Sequence, residues 1–366
     1  WGLNAWDELG RIPTQTWMEY LIWYRKVLDL KIENGKYVEA VDVVEHGFNI
    51  TVKDGSTEDI VPVRKIILAT GREGMAEPRI PPPLQGFLGP KCQHSSEDIN
   101  FDSLDGKEVA VIGISASAID NAAAALEAGA SSVHILCRAP AVPRVNKMKS
   151  TVYAGFTNGF PRLSLEERMN LLSYVFNYRV APPQNSVQRV WKHKNVKLHL
   201  DAELVEVKKE KEKLLLLTNH QGIEVEHVIL GTGFKINVNA PRLLKSFAEK
   251  IKTFRDSKSL THNKNFGEFL DFPDLGLDFE LQEKVLGKAP YLKNIHEFTF
   301  AATVSHGNVS GDIPAISDGA DRLVKGITAS IFKEDFPKHL CNLYSYEEPE
   351  LFGDEIPENK RWWPEL

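Results

Sequence analysis

Between positions 107 and 138 the chain reads KEVAVIG, GISASA, an alanine-rich SAIDNAAAALEAG and SSVHILCR. A short apolar strand runs into a glycine turn, then a helix closed by Gly129, then a second apolar strand. Gly113 takes the first position of a G-x-G-x-x-G/A pattern, Ser115 the second and Ala118 the third. Gly113 allows the tight turn out of the strand, and Ala118 lets helix and sheet approach closely. The helix N-terminus then offers unpaired N–H groups and a partial positive charge, the chemistry that holds a diphosphate. At the second position, Ser115 brings a Cβ that crowds a phosphate oxygen and a hydroxyl that can donate to one. The end of the second strand decides the ribose. An NAD-binding unit usually places Asp or Glu there, whereas this chain has Arg138, followed by Arg144, Lys147 and Lys149. A guanidinium pairs with a 2′-phosphate, so NADP(H) is expected.

Other reactive side chains are sparse. His94 and His306 are the acid–base candidates, but neither has an Asp, Ser or second His at helix spacing, so a structural place is expected for both. Asp120, on the first turn after the fingerprint, is expected to cap or position the helix. Cys92, Cys137 and Cys341 lie far apart and form no CxxC pair, so neither a redox dithiol nor a thiolate metal site is indicated. No HExxH, GxSxG, Walker loop or paired-carboxylate spacing is present. The catalytic residues are therefore unassigned, and no metal is expected.

The elements that must position these residues follow from periodicity. After Pro13 and Thr14, aromatic and apolar residues at 17, 20, 21, 24, 27 and 28 predict a helix whose stripe (Trp17, Tyr20, Trp23, Tyr24) is read as core. The period then changes to two. VEAVDVVEH, FNITVKDG and VPVRKIILATG predict three strands, with Asp54 and Gly55 turning between the second and third. PRIPPP follows as a stiff linker. Residues 140–195 read as helical and 196–230 as strands, with the KKEKEK run as a solvated hairpin end. Residues 235–300 carry no clear pattern. FTFAATVSHGNVSGDIPAISDGADRLVKGI reads as a strand, a loop and a helix. The strand into Ala69, Thr70 and Gly71 is echoed by a strand into Gly231, Thr232 and Gly233, which joins two Rossmann-like halves.

These segments together resemble the flavin-containing monooxygenases and their relatives, which bind two dinucleotides. VAVIGISASAIDNAAAALEAGA with VHILCR resembles their second nucleotide site, where Ser117, Ala118, Asp120 and Arg138 match. IILATGREGMAEPRIPP and VILGTGF resemble the two segments that cross between the FAD and NADP domains. In GDIPAISDGADRLVKGI, the resemblance places Gly311 and Asp312 against the flavin's ribityl chain. FLGPKCQHSSED departs from the family's FxGxxxH signature, because Gly89 and His94 stand one residue too far apart and the trailing aromatic is absent.

The fold implied is α/β: a Rossmann-like, three-layer, two-domain FAD/NAD(P)-binding architecture. Residues 1–98 would be the remainder of the FAD domain, 99–233 an NADP domain with a helical insertion, and 234–366 the return to the FAD domain with a C-terminal helical region. The family's first fingerprint would precede Trp1, so the leading part of the FAD domain is expected to be missing. The implied cofactors are FAD and NADP. The implied activity is monooxygenation through a C4a-(hydro)peroxyflavin, acting with O2 on a small nucleophilic or carbonyl substrate. The alternatives are an NAD(P)H oxidase or reductase using flavin, or a non-catalytic NADP(H)-binding module. A net charge of −6 argues against nucleic-acid or anionic-membrane partners. No apolar run reaches the roughly 20 residues of a membrane span. A cytoplasmic enzyme, open to homo-oligomerisation, is expected.

Overall fold

The computed structural model describes residues 12–257, 264–311, 313–352 and 355–360. Helix α1 (Thr14–Val27) forms where the period predicts, with Arg25 and Lys26 in its last turn against the negative helix end. Its stripe is not core. None of its residues is buried, and Ile22, Trp23 and Val27 are 65%, 55% and 58% exposed. Trp17 and Tyr20 instead stack along the surface at 5.4 Å. Periodicity reports which residues share a face, and is silent about what covers it.

Strands β1 (Lys36–Val44), β2 (Gly47–Asp54) and β3 (Thr57–Val63) form an antiparallel meander. Gly55 sits at φ +59° in the turn after Asp54. The third expected strand is two. Its second part, β4 (Ile66–Leu68), leaves the meander for another sheet. Then come β5 (Ala76–Pro78), β6 (Cys92–His94), β7 (Glu108–Ile112), α2 (Ala116–Glu127) and β8 (Ser132–Leu136). The helical stretch contains α3 (Ala154–Gly159), α4 (Leu165–Tyr178) and α5 (Gln184–Trp191). Ser164 and Glu167 start α4 with a reciprocal capping box. β9 (Val196–His199), β10 (Leu204–Glu210), β11 (Lys213–Thr218), β12 (Gly222–Val225) and β13 (His227–Leu230) follow. The chain closes with β14 (Phe234–Ile236), β15 (Ile295–Glu297), α6 (Thr303–His306), α7 (Ile313–Glu334) and α8 (Phe336–Tyr344). The strand expected from Phe298 is helical turn instead, and β15 comes just before it. The aromatic, acidic tail ending in RWWPEL reads from its composition as a surface strap, and residues 361–366 lie outside the described residues.

One sheet organises the centre: β6-β13-β7-β8-β9, all parallel. Its strands are apolar on both faces, as a covered parallel sheet requires. Ala118, Ile119, Ala122, Ala123 and Leu126 of α2 bury one face. Leu214, Leu216, Ile223 and Val225 of the β10-β11-β12 meander bury the other. The result is a three-layer meander–sheet–helix stack.

A separate core joins the beginning and end of the chain. β4 pairs in parallel with β15, and Phe48, Leu68, Phe279, Leu292 and Ile295 pack around them. Phe160, Met169 and Leu172 of the helical insertion belong to this core, not to that of the parallel sheet. The insertion thus leaves the sheet between β8 and β9 and docks against residues 279–309. The two regions are tied by the antiparallel pair β5-β14.

Candidate functional site

The turn after β7 is built by close backbone approach. Gly113 has φ +124°, and a Cβ there would lie 2.5 Å from the Gly231 carbonyl oxygen. A Cβ on Gly231 would meet Ala118 Cβ at 2.4 Å and its Cα at 2.6 Å. The end of β13 therefore presses on the first turn of α2, which only glycine permits. Ser115 is the N-cap residue, but its side chain caps nothing; the hydroxyl donates to the Gly231 carbonyl at 3.3 Å. The first-turn N–H groups of α2 are left without a side-chain acceptor, at an exposed end beside Ser117, whose hydroxyl reaches Ser95 at 3.0 Å. An uncapped helix end of this kind can receive a phosphate.

Arg138 is exposed just beyond β8, at the same edge of the sheet. Arg144 and Lys149 are exposed as well, whereas the Lys147 ammonium lies over the rings of Tyr178 and Tyr174, at 5.1 and 5.9 Å. Asp120 does not cap α2. It lies in the helix's second turn, and Arg189 of α5 donates to its carboxylate at 3.2 Å, tying the two helices together.

The second group of expected residues lies at the end of β4. Ala69, Thr70 and Gly71 are exposed, and Gly71 has φ +78° with open space where its Cβ would be. Thr299 joins this segment to the C-terminal one. A Cβ on Gly74 would collide with Thr70 Oγ1 and Thr299 Cγ2, at 2.1 and 2.8 Å. The Ser310 hydroxyl donates to the Thr299 carbonyl, which places Gly311, exposed just before α7, beside the same crossing. Asp312 lies outside the described residues. At the return crossing, the Thr232 hydroxyl donates to the Arg79 carbonyl, and the Arg79 amide donates to Gly233 at 2.9 Å.

Neither histidine is placed for acid–base work. His94 Nε2 donates to the Gly233 carbonyl at 3.0 Å while Nδ1 meets the Ser96 hydroxyl at 2.8 Å, so the ring is a strut under the return crossing. His306 is stacked on Phe279 at 3.8 Å and donates from Nε2 to Gly276 at 2.9 Å. Burial, with Arg322 nearby, pushes it down to about 3, so it stays neutral. Cys92 and Cys137 are buried free thiols, and burial pushes Cys92 up to about 12.

Sequence reasoning missed Glu297. It is fully buried at the end of β15, accepts from the Thr299 hydroxyl on one oxygen, and has no partner on the other. Burial pushes its carboxyl up to about 7. Nothing in IHEFTF signals this, because its environment comes from segments distant in sequence.

With this geometry in view, the relatives fall into place. A family model described as pyridine nucleotide-disulphide oxidoreductase matches residues 10–180. The FAD-dependent urate hydroxylase of Xanthomonas campestris pv. campestris is 27% identical over 358 residues, covering 96% of this chain and 74% of that protein. The chain is similar to flavin-dependent oxidoreductases of this kind. Solved structures share the fold of this chain. Ornithine hydroxylase of Pseudomonas aeruginosa superposes with a TM-score of 0.67 at 16% identity, over 88% of this chain and 78% of that one. The ornithine N-hydroxylase of Kutzneria sp. 744, solved with reduced FAD, NADP+ and L-ornithine, gives 0.68 at 13%, over 90% and 80%. The disulphide chemistry in the family model's description has no counterpart in the three free, dispersed thiols of this chain.

Proposed function

We propose that this protein is an FAD- and NADPH-dependent monooxygenase acting on a small molecule. The observation that carries the reading is the contact of Gly113, Gly231 and Ala118, which leaves the α2 N-terminus open as a diphosphate cradle at the edge where Arg138 stands. The same chain would hold a second strand-end cradle of Ala69, Thr70, Gly71 and Gly311, with Asp312 next in sequence, and β5-β14 ties the two regions. On this reading, residues 99–233 form the NADP unit, and 1–98 with 234–366 form the flavin unit. Gly113, Ser115, Ser117 and Ala118 would hold the NADP diphosphate, and Arg138 its 2′-phosphate. Gly231, Thr232 and Gly233 would set the spacing between the two nucleotides.

When bound, FAD and NADPH supply hydride transfer and the activation of dioxygen. The protein's own share is position and dryness. His94 holds the return crossing, Thr299 locks residues 70–74 to Ser310, and the insertion covers residues 299–309 against water. No acid–base pair is required by this division of labour. We place the protein in the cytoplasm, and among the described residues no helix is long and apolar enough to cross a membrane.

Turnover with NADPH under labelled dioxygen tests the reading. One labelled oxygen atom is expected in the organic product and the other in water. Recovery of all the label as hydrogen peroxide would mark an oxidase instead, and colourless protein that still binds NADPH would mark a binding module.

A further inference from the structure

Beside the crossing at Ala69, Thr70 and Gly71 stands a wall of four phenylalanines. Phe176 of α4 meets Phe269 edge to face at 5.2 Å and Phe300 at 6.3 Å. Phe272 closes the group at 5.8 Å from Phe269 and 5.9 Å from Phe300. Only Phe272 is fully buried; Phe269 and Phe300 are half-buried, and Phe176 is 37% exposed. The rings come from three separate segments: the insertion, residues 269–272 and the loop after β15.

One cation sits on this wall. The Arg72 guanidinium lies 4.4 Å from the Phe300 ring centroid, and among the described residues no carboxylate or carbonyl pairs with it. Of the nearby acids, Glu268 takes both guanidinium nitrogens of Arg79, while Glu73, next in sequence and exposed, makes no ion pair with Arg72. A cation stacked on one ring face, with its N–H edge unpaired beside further ring edges, matches a flat ligand bearing negative charge. An aliphatic ammonium would meet the like charge of Arg72 here.

We infer that Arg72, Phe176 and Phe300 form the substrate subsite and that it selects a planar, anionic heteroaromatic or aromatic substrate over an aliphatic amine. The inference rests on the flavin assignment above, because Arg72 follows Gly71 directly and Phe300 follows Thr299. It also separates the relatives' substrates, since urate is a planar anion at neutral pH and ornithine is an aliphatic amine.

Calorimetric titration of the purified protein with urate, benzoate and L-ornithine tests it, using wild type, Arg72→Gln, Arg72→Lys and Phe176→Leu. Urate or benzoate is expected to bind the wild type and ornithine is not. Arg72→Gln should weaken the anion by roughly 10- to 100-fold, the loss of a charge-assisted pair, and Arg72→Lys should recover part of it. Phe176→Leu, which keeps apolar bulk and removes the ring, should weaken it several-fold. Among the described residues Arg72 has no hydrogen-bond or ion-pair partner, so its replacement removes the stacking on Phe300 and no hydrogen bond or ion pair. Flavin absorbance and NADPH-driven reduction are read on the same samples, so failure of the oxidoreductase reading appears as a separate signal. Equal urate binding by wild type and Arg72→Gln, ornithine binding in preference to the anions, or a loss confined to NADPH or FAD would each overturn the subsite.

Discussion

On the proposed reading Arg138, exposed at a strand end, carries the choice between the two nicotinamide cofactors. Replacing it by Ala should lower the kcat/KM preference for NADPH over NADH by roughly 10- to 100-fold, mostly through KM for NADPH. An unchanged preference would remove Arg138 from the 2′-phosphate. Glu297 makes a different kind of prediction. Its carboxyl is shifted from an ordinary 4.5 to about 7, so the folded chain keeps a proton that the unfolded chain has lost across that window. Stability contributed by this group is full below about 4.5 and is lost as pH rises through 7, by roughly 3 kcal/mol at most. His306 and His227, pushed by burial to about 3 and about 4, act in the opposite sense: the unfolded chain takes up protons below 6.5 and stability falls with acidification. The raw pH curve therefore mixes both. The difference between wild type and Glu297→Gln isolates the carboxyl: the variant should gain relative stability as pH rises from 4.5 to 7. A flat difference in thermal midpoint would show that the group is not buried as described.

At the scale of elements, the junction of β13 with α2 is the tightest test of the nucleotide cradle. Gly231→Ala would put a Cβ 2.4 Å from that of Ala118. Either the helix moves outward or β13 does, at a cost of about 1–3 kcal/mol. On the proposed reading the moved atoms form the cradle, so NADPH binding should weaken at least in step. Urea melts and NADPH titration of one preparation decide it, and a variant that melts and binds like wild type would contradict the close packing. The sequence showed this junction well, because strand, glycine turn, small-residue helix and basic strand end all follow local rules. It showed α1 as a helix but not as a surface one. It showed FTFAATV as a strand, because alternating apolar residues look alike in a strand and in a buried helical turn. Residues 235–300 stayed unread for a related reason: their short 3₁₀ turns and isolated bridges have no period to detect. The aromatic wall and Arg72 lie partly in those residues and are assembled only by tertiary contact.

At the scale of the whole molecule, the account is of two nucleotide edges held at a fixed spacing. On the proposed reading the β5-β14 pair, the His94 strut and the insertion's place in the terminal core would all serve that spacing. The most direct test is anaerobic titration of the purified protein, followed by its flavin absorbance. The account predicts that the protein carries FAD and that NADPH bleaches it in a single stoichiometric step, with NADH far slower. Bound flavin that NADPH leaves oxidised, or NADPH binding with no flavin present, would contradict it.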